Sequence, residues 1–309
     1  MKNILNIYGE KYQVKVIRKT YSSIEGVKII IPVYAMNQIA FDMAKVCIES
    51  IKKYTVIDHE IWVVDNNSLS QFSNKLQEID DINIAVNQTT PINYQKISST
   101  NIIQLIKNRF IFQGTKRQIQ DGSYANAVGL EIGCQLIDPN TKYVFTMHSD
   151  ILVLKKGWLQ FLLNKLDDNV KAVACWRDNI RVKALHIGGL LFDYQLFKKY
   201  NISFMSNIGK LNDKHSLEYD VGDLLTLKFH ENGHGTYVCK NTYNEPKLVD
   251  LIPDSNPMKN IHSDRVFDDN NELIYAHLGR GTRKSFDIYK KSYKTYPQEW
   301  KRYAYEHVL

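Results

Sequence analysis

The sequence predicts an α/β protein with a mostly parallel sheet, because apolar runs typical of buried strands alternate with segments of helical periodicity. Residues 27–34 (VKIIIPVY) and 59–68 (HEIWVVDNNS) are continuous β-branched runs, the pattern of strands buried on both faces. Between positions 41 and 51, apolar residues recur at spacings of three and four, which indicates an amphipathic helix. A short helix over 70–79 and a third strand over 82–86 follow. This alternation implies parallel strands joined by right-handed crossovers.

The same alternation continues in the second half of the chain, after a polar insertion over residues 88–122. Within the insertion, the apolar residues from Ile102 to Phe110 predict one helix. Turn residues such as Asp138-Pro139-Asn140 bound the later segments. The later predicted elements are a helix over 124–137, a strand over 142–147, a helix starting near Gly157, strands over 172–176 and 186–192, and a helix over 218–233 with Asp220 in its first turn and Gly233 at its C-cap.

Length and composition favour one large domain with extensions at both ends. The chain has 309 residues, of which 44% are hydrophobic, so it can bury a large core. It contains no internal repeat and no low-complexity linker. We therefore predict an N-terminal extension (1–24), an α/β domain (25–240), and a C-terminal extension (241–309) that ends in a basic, aromatic tail.

Charge and cysteine usage bound the partners and the compartment. Forty basic and 33 acidic residues give a net charge of +7, which favours anionic partners such as nucleotides, phosphorylated lipids or a membrane surface. The basic residues are spread out without a nucleic-acid motif, so we predict no nucleic-acid partner. No segment approaches the ~20 apolar residues that span a bilayer, and the N-terminus lacks the apolar core of a signal peptide. Because the four cysteines are scattered in apolar stretches without a CxxC pair, we predict buried thiols and a cytoplasmic protein.

Carboxylates interrupt the apolar pattern where predicted strands end. The run over 143–147 breaks into His148-Ser149-Asp150 before apolar residues resume at 151–154, and Asp65 closes an earlier strand. Asp220 and Asp223 lie one turn apart at the start of the predicted helix over 218–233. Taken alone, these residues could form a turn, a solvent-exposed bend and a stabilised helix N-terminus. Together, at the strand ends where ligands of open α/β sheets bind, they indicate a site for a cation and a polyphosphate.

An ordered series of motifs, and no single one of them, resembles the family 2 glycosyltransferases of the GT-A fold. The resemblance covers roughly residues 27–235 and extends to the region of His277. It implies a Rossmann-like α/β/α sandwich that binds a nucleoside-diphosphate sugar. The motifs are VKIIIPVYAMN (27–37), IWVVDNNS (61–68), DGSYANAVGLEIG (121–133), YVFTMHSDILVLKKGWL (143–159), HIGGLLFDYQLFKKY (186–200) and EYDVGDLLTLKFHENGH (218–234).

The resemblance implies a set of residues that bind the nucleotide-sugar. Pro32, Val33 and Tyr34, at the end of the first family strand, would approach the nucleotide. Asp65 would accept a hydrogen bond from the edge of the base, most often uracil in this family. Asn126 lies in the segment that runs near the nucleotide-sugar.

The family's metal-binding DxD motif corresponds to His148-Ser149-Asp150. Asp150 would bind Mn²⁺ or Mg²⁺ against the two phosphates, and Ser149 would lie at the nucleotide-sugar. His148 replaces the first aspartate of the motif, so it is either a further ligand or a ribose contact. His277 resembles the late histidine that completes the metal site in some GT-A enzymes, and a satisfied structural histidine is the alternative.

The resemblance also implies a catalytic base and a diphosphate clamp. Family members carry a pair of acidic residues at the start of the helix predicted over 218–233, so Asp220 would take the proton from the acceptor hydroxyl, with Asp223 as the second candidate. Arg280 and Arg283 would clamp the diphosphate from a loop, or else form a solvated basic turn.

These residues together predict an inverting glycosyltransferase in bacterial surface polysaccharide or glycoconjugate synthesis. Its donor would be a UDP-sugar, and its acceptor a hydroxyl of a glycan or of a lipid-linked molecule. A non-catalytic nucleotide- or glycan-binding protein on the same scaffold is the alternative. A nucleotidyltransferase ranks lower because the chain lacks an early glycine- and lysine-rich phosphate loop. The tail over 285–309 could contact an anionic membrane peripherally, pack on its own domain or form a homodimer contact.

Overall fold

The computed structural model describes residues 2–92, 122–179, 182–207, 217–279 and 296–309, so the helix predicted between Ile102 and Phe110 lies outside the described residues. The described strands are β1 (Lys2–Ile7), β2 (Glu10–Ile17), β3 (Val27–Val33), β4 (His59–Asp65), β5 (Asn83–Asn87), β6 (Tyr143–Met147), β7 (Ile151–Val153), β8 (Val170–Ala174), β9 (Gly189–Asp193), β10 (Gly235–Val238), β11 (Lys240–Asn241), β12 (Asp264–Phe267) and β13 (Leu273–His277). The described α-helices are α1 (Gln38–Tyr54), α2 (Ser70–Gln77), α3 (Gly122–Leu136), α4 (Trp158–Leu163), α5 (Tyr194–Lys199), α6 (Asp223–Glu231) and α7 (Tyr296–Tyr303).

Nine of these strands form one large sheet in the order β1-β2-β5-β4-β3-β6-β9-β8-β10. The central strands β5, β4, β3 and β6 pair in parallel, as the continuous β-branched runs predict. Strands β2 and β9 are antiparallel to their neighbours, so seven of the nine strands run in the same direction. The predicted α/β fold class with a mostly parallel central sheet is therefore confirmed.

Helices cover both faces of this sheet. Successive residues of a strand point to opposite faces, and in β3 the side chains of Ile29 and Ile31 pack with α1, whereas that of Ile30 packs with α3. Helix α3 can approach β3 closely because Gly133 has no side chain: a Cβ at this position would lie only 2.4 Å from Ile30 Cγ2. This close approach brings the first turns of α3 to the carboxyl end of β3.

The first residues of the predicted N-terminal extension belong to the sheet. Strands β1 and β2 form a hairpin through Tyr8 and Gly9, both with positive φ, and β2 pairs antiparallel with β5. The hairpin is one-sided: Tyr12 and Val14 are buried, whereas Lys11 and Gln13 are exposed. Residues 2–17 therefore supply two strands of the same sheet that holds the central parallel strands.

A second sheet combines β7 with three strands from residues 240–277, and it meets the first sheet at residues 148–150. This sheet has the order β11-β12-β13-β7, and all its pairings are antiparallel. The apolar residues that resume after Asp150 therefore form a separate strand, β7, and do not continue β6. His277, the last residue of β13, pairs with Ile151, the first residue of β7.

The described part of the tail packs on the domain itself. Trp300 of α7 is fully buried, and Lys301 forms an ion pair with Asp42 of α1. At the other end of α1, the Tyr54 hydroxyl donates a hydrogen bond to the Val308 carbonyl (3.0 Å). Of the alternatives predicted for the tail, packing on its own domain thus describes residues 296–309. In the part of the chain that the structure describes, we find no helix with both the length and the apolar character to cross a membrane.

Candidate metal centre and active site

His148, Asp150 and His277 meet where the two sheets join. Each residue offers one ligand atom, and the three atoms all lie within 4.8 Å of one another. His148 and Asp150 belong to the turn between β6 and β7, and the pairing of His277 with Ile151 sets the imidazole beside Asp150. This histidine–aspartate–histidine cluster contains two of the predicted metal-binding residues and His148, which the sequence left between two roles.

The Nε2 atom of His277 faces Asp150 in the cluster but makes no hydrogen bond with a described residue. It lies 3.4 Å from Asp150 Oδ1, a contact that counts as an ion pair when the ring is protonated. Nevertheless, Nε2 is buried and has no hydrogen-bond partner of acceptable geometry among the described residues. A buried polar atom without a partner costs about 1–3 kcal/mol, and a bound cation would remove that cost. Two imidazoles and one carboxylate are ordinary ligands of divalent metals, so the residues present fit a metal ion.

The His277 ring is fixed from its other side by residues that the sequence did not single out. Asp264 lies directly across β12 and β13 from His277, and its Oδ2 is 3.3 Å from His277 Nδ1. The indole of Trp176 stacks on the imidazole with 4.7 Å between ring centroids and an interplanar angle of 17°. A carboxylate on Nδ1 selects the tautomer whose Nε2 lone pair can bind a metal. No local signal marks Asp264, because its proximity arises from strand pairing.

The His148 ring has a different second contact. One of its nitrogens, Nε2, lies 3.2 Å from Asn126 Nδ2 on α3. Asn126, predicted to lie near the nucleotide-sugar, thus lies beside a histidine of the cluster. The backbone of Gly188 passes on the other side of the ring: a Cβ at that position would lie 2.9 Å from His148 Nδ1. The His148 ring thus lies between the Asn126 amide and the Gly188 backbone.

Charge separates the two histidines of the cluster. Burial disfavours the His277 imidazolium, but the charges of Asp150 and Asp264 outweigh it and raise the His277 pKa to about 9. Burial dominates at His148 and lowers its pKa to about 4, against the attraction of Asp150. At neutral pH the ring of His148 is therefore neutral, whereas His277 carries a proton that a metal ion would replace.

A third histidine, His186, lies next to the cluster. Its ring centroid is 5.4 Å from that of His148, and its Nδ1 accepts a hydrogen bond from the Gly188 backbone N–H (3.0 Å). Burial and the two neighbouring histidines lower its pKa well below the usual value. The sequence analysis did not single out His186, although a histidine as the first residue of the strand predicted over 186–192 was a usable signal. His186 is a neutral ring that lines the site.

The residues predicted to approach the nucleotide lie along the same edge of the large sheet. Asp65 ends β4 and is fully buried. Its Oδ1 accepts a hydrogen bond from the Ser68 backbone N–H (3.0 Å), as a turn-forming aspartate does. Its Oδ2 is buried without a hydrogen-bond partner among the described residues. The turn therefore uses one oxygen of Asp65, and the other is able to accept a further hydrogen bond.

Packing between α3 and the strand ends shapes the predicted nucleotide region. Pro32 and Tyr34 are partly exposed, and Val33 is buried. A Cβ on Gly129 would lie 3.0 Å from Pro32 Cβ, so only glycine lets α3 pass this closely. The loop after β4 is tied to α3 because Asn66 Nδ2 donates to the Ala125 carbonyl (2.6 Å).

The predicted position of Asp220 in the first turn of a helix is wrong. Helix α6 begins at Asp223, because Gly222 adopts a left-handed conformation (φ +81°) that interrupts helical geometry. Asp220 therefore lies in the turn before the helix, where its Oδ1 accepts a hydrogen bond from the Val221 N–H (2.8 Å). Asp223 is buried, and its Oδ2 accepts a hydrogen bond from the Asp220 N–H (2.7 Å). A Cβ at Gly222 would lie 2.0 Å from Ile187 Cγ2, so this acidic turn packs against the HIGG segment that borders the cluster.

The remaining predicted residues divide into described and undescribed positions. Ser149 lies in the turn between His148 and Asp150 and is partly exposed. Arg280 and Arg283 lie outside the described residues. The last described residue before them, Gly279, has φ +69°, and a Cβ there would lie 3.8 Å from Asp264 Oδ2.

Comparisons with known proteins return similar structures only. No protein-family model matches the sequence, and no curated protein matches it. TarS residues 1–349 from S. aureus has a TM-score of 0.37 and 12% identity over 58% of this chain, which spans 50% of that structure's length. The mannosyltransferase PcManGT from Pyrobaculum calidifontis, solved with GDP-Man and Mn²⁺, has a TM-score of 0.43 and 14% identity over 93% of this chain and 71% of that one. The galactosyltransferase LgtC, solved with donor and acceptor sugar analogs, has a TM-score of 0.49 and 12% identity over 91% of this chain and 96% of that one. The chain is therefore similar in fold to glycosyltransferases, and at these identities the likeness concerns the fold alone.

Proposed function

We propose that the protein is an inverting, divalent-metal-dependent glycosyltransferase that moves a sugar from a nucleoside-diphosphate donor to an acceptor hydroxyl. One observation carries the proposal: the histidine–aspartate–histidine cluster lies where β6 ends, beside the carboxyl ends of the parallel strands, with the buried Nε2 of His277 left without a hydrogen bond. Ligands of open α/β sheets bind at this edge. The sequence motifs and the net charge of +7 agree with an anionic, phosphate-bearing donor.

His148, Asp150 and His277 would hold the metal ion, Mn²⁺ or Mg²⁺ by family resemblance. When bound, such an ion neutralises the charge that develops on the leaving nucleoside diphosphate. Asp264 and Trp176 contact the His277 ring, and Asn126 contacts His148. These contacts would preorganise the two histidines for metal binding. Arg280 and Arg283, which follow the cluster in sequence, would clamp the diphosphate.

Asp65 and the residues at the end of β3 would bind the nucleotide. The second oxygen of Asp65 is buried and unused by the turn, so it can accept a hydrogen bond from the edge of the base. Uracil is the expected base by family resemblance. The partly exposed Pro32 and Tyr34 would contact the nucleoside from the neighbouring strand end.

Asp220 is our choice for the catalytic base. A base must come within hydrogen-bond distance of the acceptor hydroxyl, and Asp220 is partly exposed whereas Asp223 is buried. Asp223 accepts the Asp220 backbone N–H and would thus position the turn that carries the base. Attack from that side, opposite the leaving diphosphate, would invert the anomeric centre. The acceptor would be a glycan or a lipid-linked molecule, and the pathway would be bacterial surface polysaccharide synthesis. The protein would act in the cytoplasm at the inner face of the membrane.

A non-catalytic nucleotide-binding protein is the second candidate. The carboxylates of Asp220 and Asp223 both accept hydrogen bonds from backbone N–H groups of their own turn. These bonds give both residues a structural role, which favours the second candidate. A protein of this kind would bind a nucleoside diphosphate without turning over any sugar donor.

Two measurements test the proposal. Thermal stabilisation by UDP, GDP, CDP and dTDP, each with and without Mn²⁺, identifies the donor class, and we expect one diphosphate to act only with metal. Release of the nucleoside diphosphate from the matching sugar donors then tests catalysis, with Asp150→Asn as the inactive variant. Asp254→Asn, at an exposed ion pair with Lys259, is the matched control and should keep full activity. Metal-dependent binding without release from any donor and acceptor would favour the second candidate, and no stabilisation by any diphosphate would contradict both.

A further inference from the structure

We propose that Glu131 of α3 is a positioning residue for the turn that carries Asp220, so that α3 sets where this base lies relative to the histidine–aspartate–histidine cluster. The inference rests on the proposed function for the role of Asp220, and it goes beyond it by naming the group that places the base. Its basis is a series of hydrogen bonds that runs from Glu131 through Phe204 to Gly222.

Glu131 accepts two hydrogen bonds on one oxygen. The Phe204 backbone N–H (2.9 Å) and the Tyr8 hydroxyl (2.5 Å) both donate to its Oε1. Tyr8 belongs to the turn between β1 and β2, and Phe204 follows α5, so this oxygen joins three separate parts of the chain. Burial raises the pKa of the Glu131 carboxyl, which means that the fold holds this acid in α3 at a free-energy cost. Acids held in this way are concentrated at functional sites.

Phe204 connects Glu131 to the acidic turn. Its carbonyl accepts a hydrogen bond from the Gly222 N–H (3.1 Å). Its ring is fully buried and lies against Phe197, with 5.0 Å between ring centroids. Gly222 is the left-handed residue directly before α6, two residues after Asp220. The backbone of Phe204 therefore bonds to α3 through its N–H and to the start of α6 through its carbonyl.

The other side of the acidic turn is held by the same segment. The Asn207 N–H donates to the Tyr219 carbonyl (3.1 Å), and the Tyr219 N–H donates to Asn207 Oδ1 (2.7 Å). Residues that flank Asp220 on both sides are thus hydrogen-bonded to residues 204–207. The position of this segment therefore determines where Asp220 lies.

Helix α3 also contacts the cluster. Asn126 lies five residues before Glu131, a distance of about 7.5 Å along a helix, and its Nδ2 is 3.2 Å from His148 Nε2. The helix packs tightly on β3, since a Cβ on Gly129 would lie 3.0 Å from Pro32 Cβ. One helix therefore supports both halves of the candidate site. Their spacing matters for in-line attack, because a displacement of about 1 Å can reduce a rate by about 10²-fold.

Hydrogen–deuterium exchange of the whole protein, without metal or nucleotide, tests the placement. Glu131→Met is similar in size but has no acceptor, so we expect amide exchange over 203–207 and 217–224 to accelerate by about tenfold or more. Exchange over β7 and β13 should not change. Glu131→Gln keeps an acceptor oxygen and should exchange like the wild type. Gln135→Met, one turn further along α3 at an exposed side chain, is the matched control and should leave both segments unchanged.

Steady-state kinetics test the consequence for the reaction. We expect Glu131→Met to lower kcat by about 10–100-fold, with the KM for the sugar donor and the Mn²⁺ affinity unchanged. Glu131→Gln should restore most of the rate. A purely structural loss would accelerate exchange across the whole domain and would not separate kcat from KM.

A second variant keeps the test decisive if Glu131→Met does not fold. Tyr8→Phe removes one of the two donors at a side chain that is 37% exposed. It should accelerate exchange over 203–207 and lower kcat in the same direction by a smaller factor. Wild-type exchange and kcat in Tyr8→Phe would then overturn the proposal.

Three results with folded Glu131→Met would also overturn it: wild-type exchange over both segments, an unchanged kcat, or the same losses in Gln135→Met. The outcome is separable from the proposed function. If the wild type turns over no donor while exchange changes as expected, catalysis is contradicted and the placement of the turn by Glu131 stands. Full turnover by Glu131→Met would keep the proposed function and contradict this inference.

Discussion

Two buried charged clusters lie at opposite edges of the large sheet. At the amino ends of β3 and β4, the fully buried Lys28 and Glu60 form an ion pair with 3.1 Å between Nζ and Oε1. At the carboxyl edge, His277 and Asp150 are also buried and lie 3.4 Å apart. The two pairs are alike in burial and distance but differ in what surrounds them.

Glu60 is surrounded by donors. Its carboxylate accepts hydrogen bonds from the Ser22 N–H (2.8 Å), the Trp62 indole (2.8 Å) and the Asn83 amide (3.0 Å), as well as from Lys28. Burial alone would raise the Glu60 pKa, but these partners lower it overall. In the other cluster, His277 Nε2 is buried without a hydrogen bond among the described residues. A satisfied cluster stabilises the fold, whereas an unsatisfied one at a ligand-binding edge indicates a site that is completed by a ligand.

The sharpest way to break this comparison is to remove the carboxylate of the carboxyl-edge cluster. We expect Asp150→Asn to reduce sugar transfer by about 10³-fold or more, because a metal contributes several kcal/mol of transition-state stabilisation. Fluorescence- or calorimetry-based Mn²⁺ binding should be lost in parallel, and the metal-free protein should lose some stability at neutral pH because the protonated His277 ring loses one of its two carboxylate neighbours. An active variant with wild-type Mn²⁺ affinity would show that Asp150 is not a ligand.

The converse change removes the carboxylate of the amino-edge cluster. Glu60→Ala leaves Lys28 buried and unpaired, which should lower the free energy of unfolding by about 3–5 kcal/mol in urea denaturation. The folded fraction should bind Mn²⁺ with unchanged affinity. The double variant Lys28→Met/Glu60→Gln, which leaves no unpaired charge, should recover part of the loss. If Glu60→Ala is as stable as the wild type, the amino-edge pair does not have the structural role we assign to it.

The pH dependence of the metal-free protein separates the histidines. His277 has a folded pKa of about 9, above its usual 6.5, so its stabilisation is fully present below pH 6.5 and is lost as the pH rises through 9. His148 acts in the opposite sense: its folded pKa of about 4 makes stability fall as the pH drops from 6.5 toward 4. Unfolding curves across pH measure both, and His277→Gln should flatten the alkaline limb only.

Mn²⁺ affinity should rise with pH as His277 loses its proton, and an affinity independent of pH between 7 and 9 would contradict the assignment.

A smaller effect is expected from the residue that holds His277 from behind. Asp264→Ala should weaken Mn²⁺ binding by about 10–100-fold, because outer-shell partners of metal-binding histidines typically contribute that much. Asp264→Asn can still accept the Nδ1–H hydrogen bond and should retain most of the affinity. Isothermal titration with both variants makes the measurement, and equal losses in the two would mean that the carboxylate charge matters more than the orientation of the ring.

The sequence was most informative where a local pattern determines the structure. Continuous β-branched runs predicted β3 and β4, and the polar break at His148 and Asp150 marked the end of β6. The hairpin of β1 and β2 was missed, although Glu10–Ile17 has a one-sided burial pattern and Gly9 forms the turn. Its polar positions concealed the strand because only one face of it is buried.

Features that arise from tertiary contacts were not predictable from the sequence. Asp264 reaches His277 only through the register of β12 and β13, and Trp176 stacks on His277 from a segment about a hundred residues away in the chain. The start of α6 was misplaced because Gly222 adopts φ +81°, a conformation that composition does not reveal. The proximity of His148, Asp150 and His277 was expected only from a family resemblance, since His148 lies in the turn after β6 whereas His277 ends β13 of the other sheet.

Crystals of the protein grown with UDP and Mn²⁺, measured at the manganese absorption edge, test the central claim directly. We predict one anomalous peak within bonding distance of His277 Nε2, a ring nitrogen of His148 and an Asp150 carboxylate oxygen, with the diphosphate on its open side. A peak elsewhere, or a diphosphate bound with these three side chains still contacting only one another, would contradict the account.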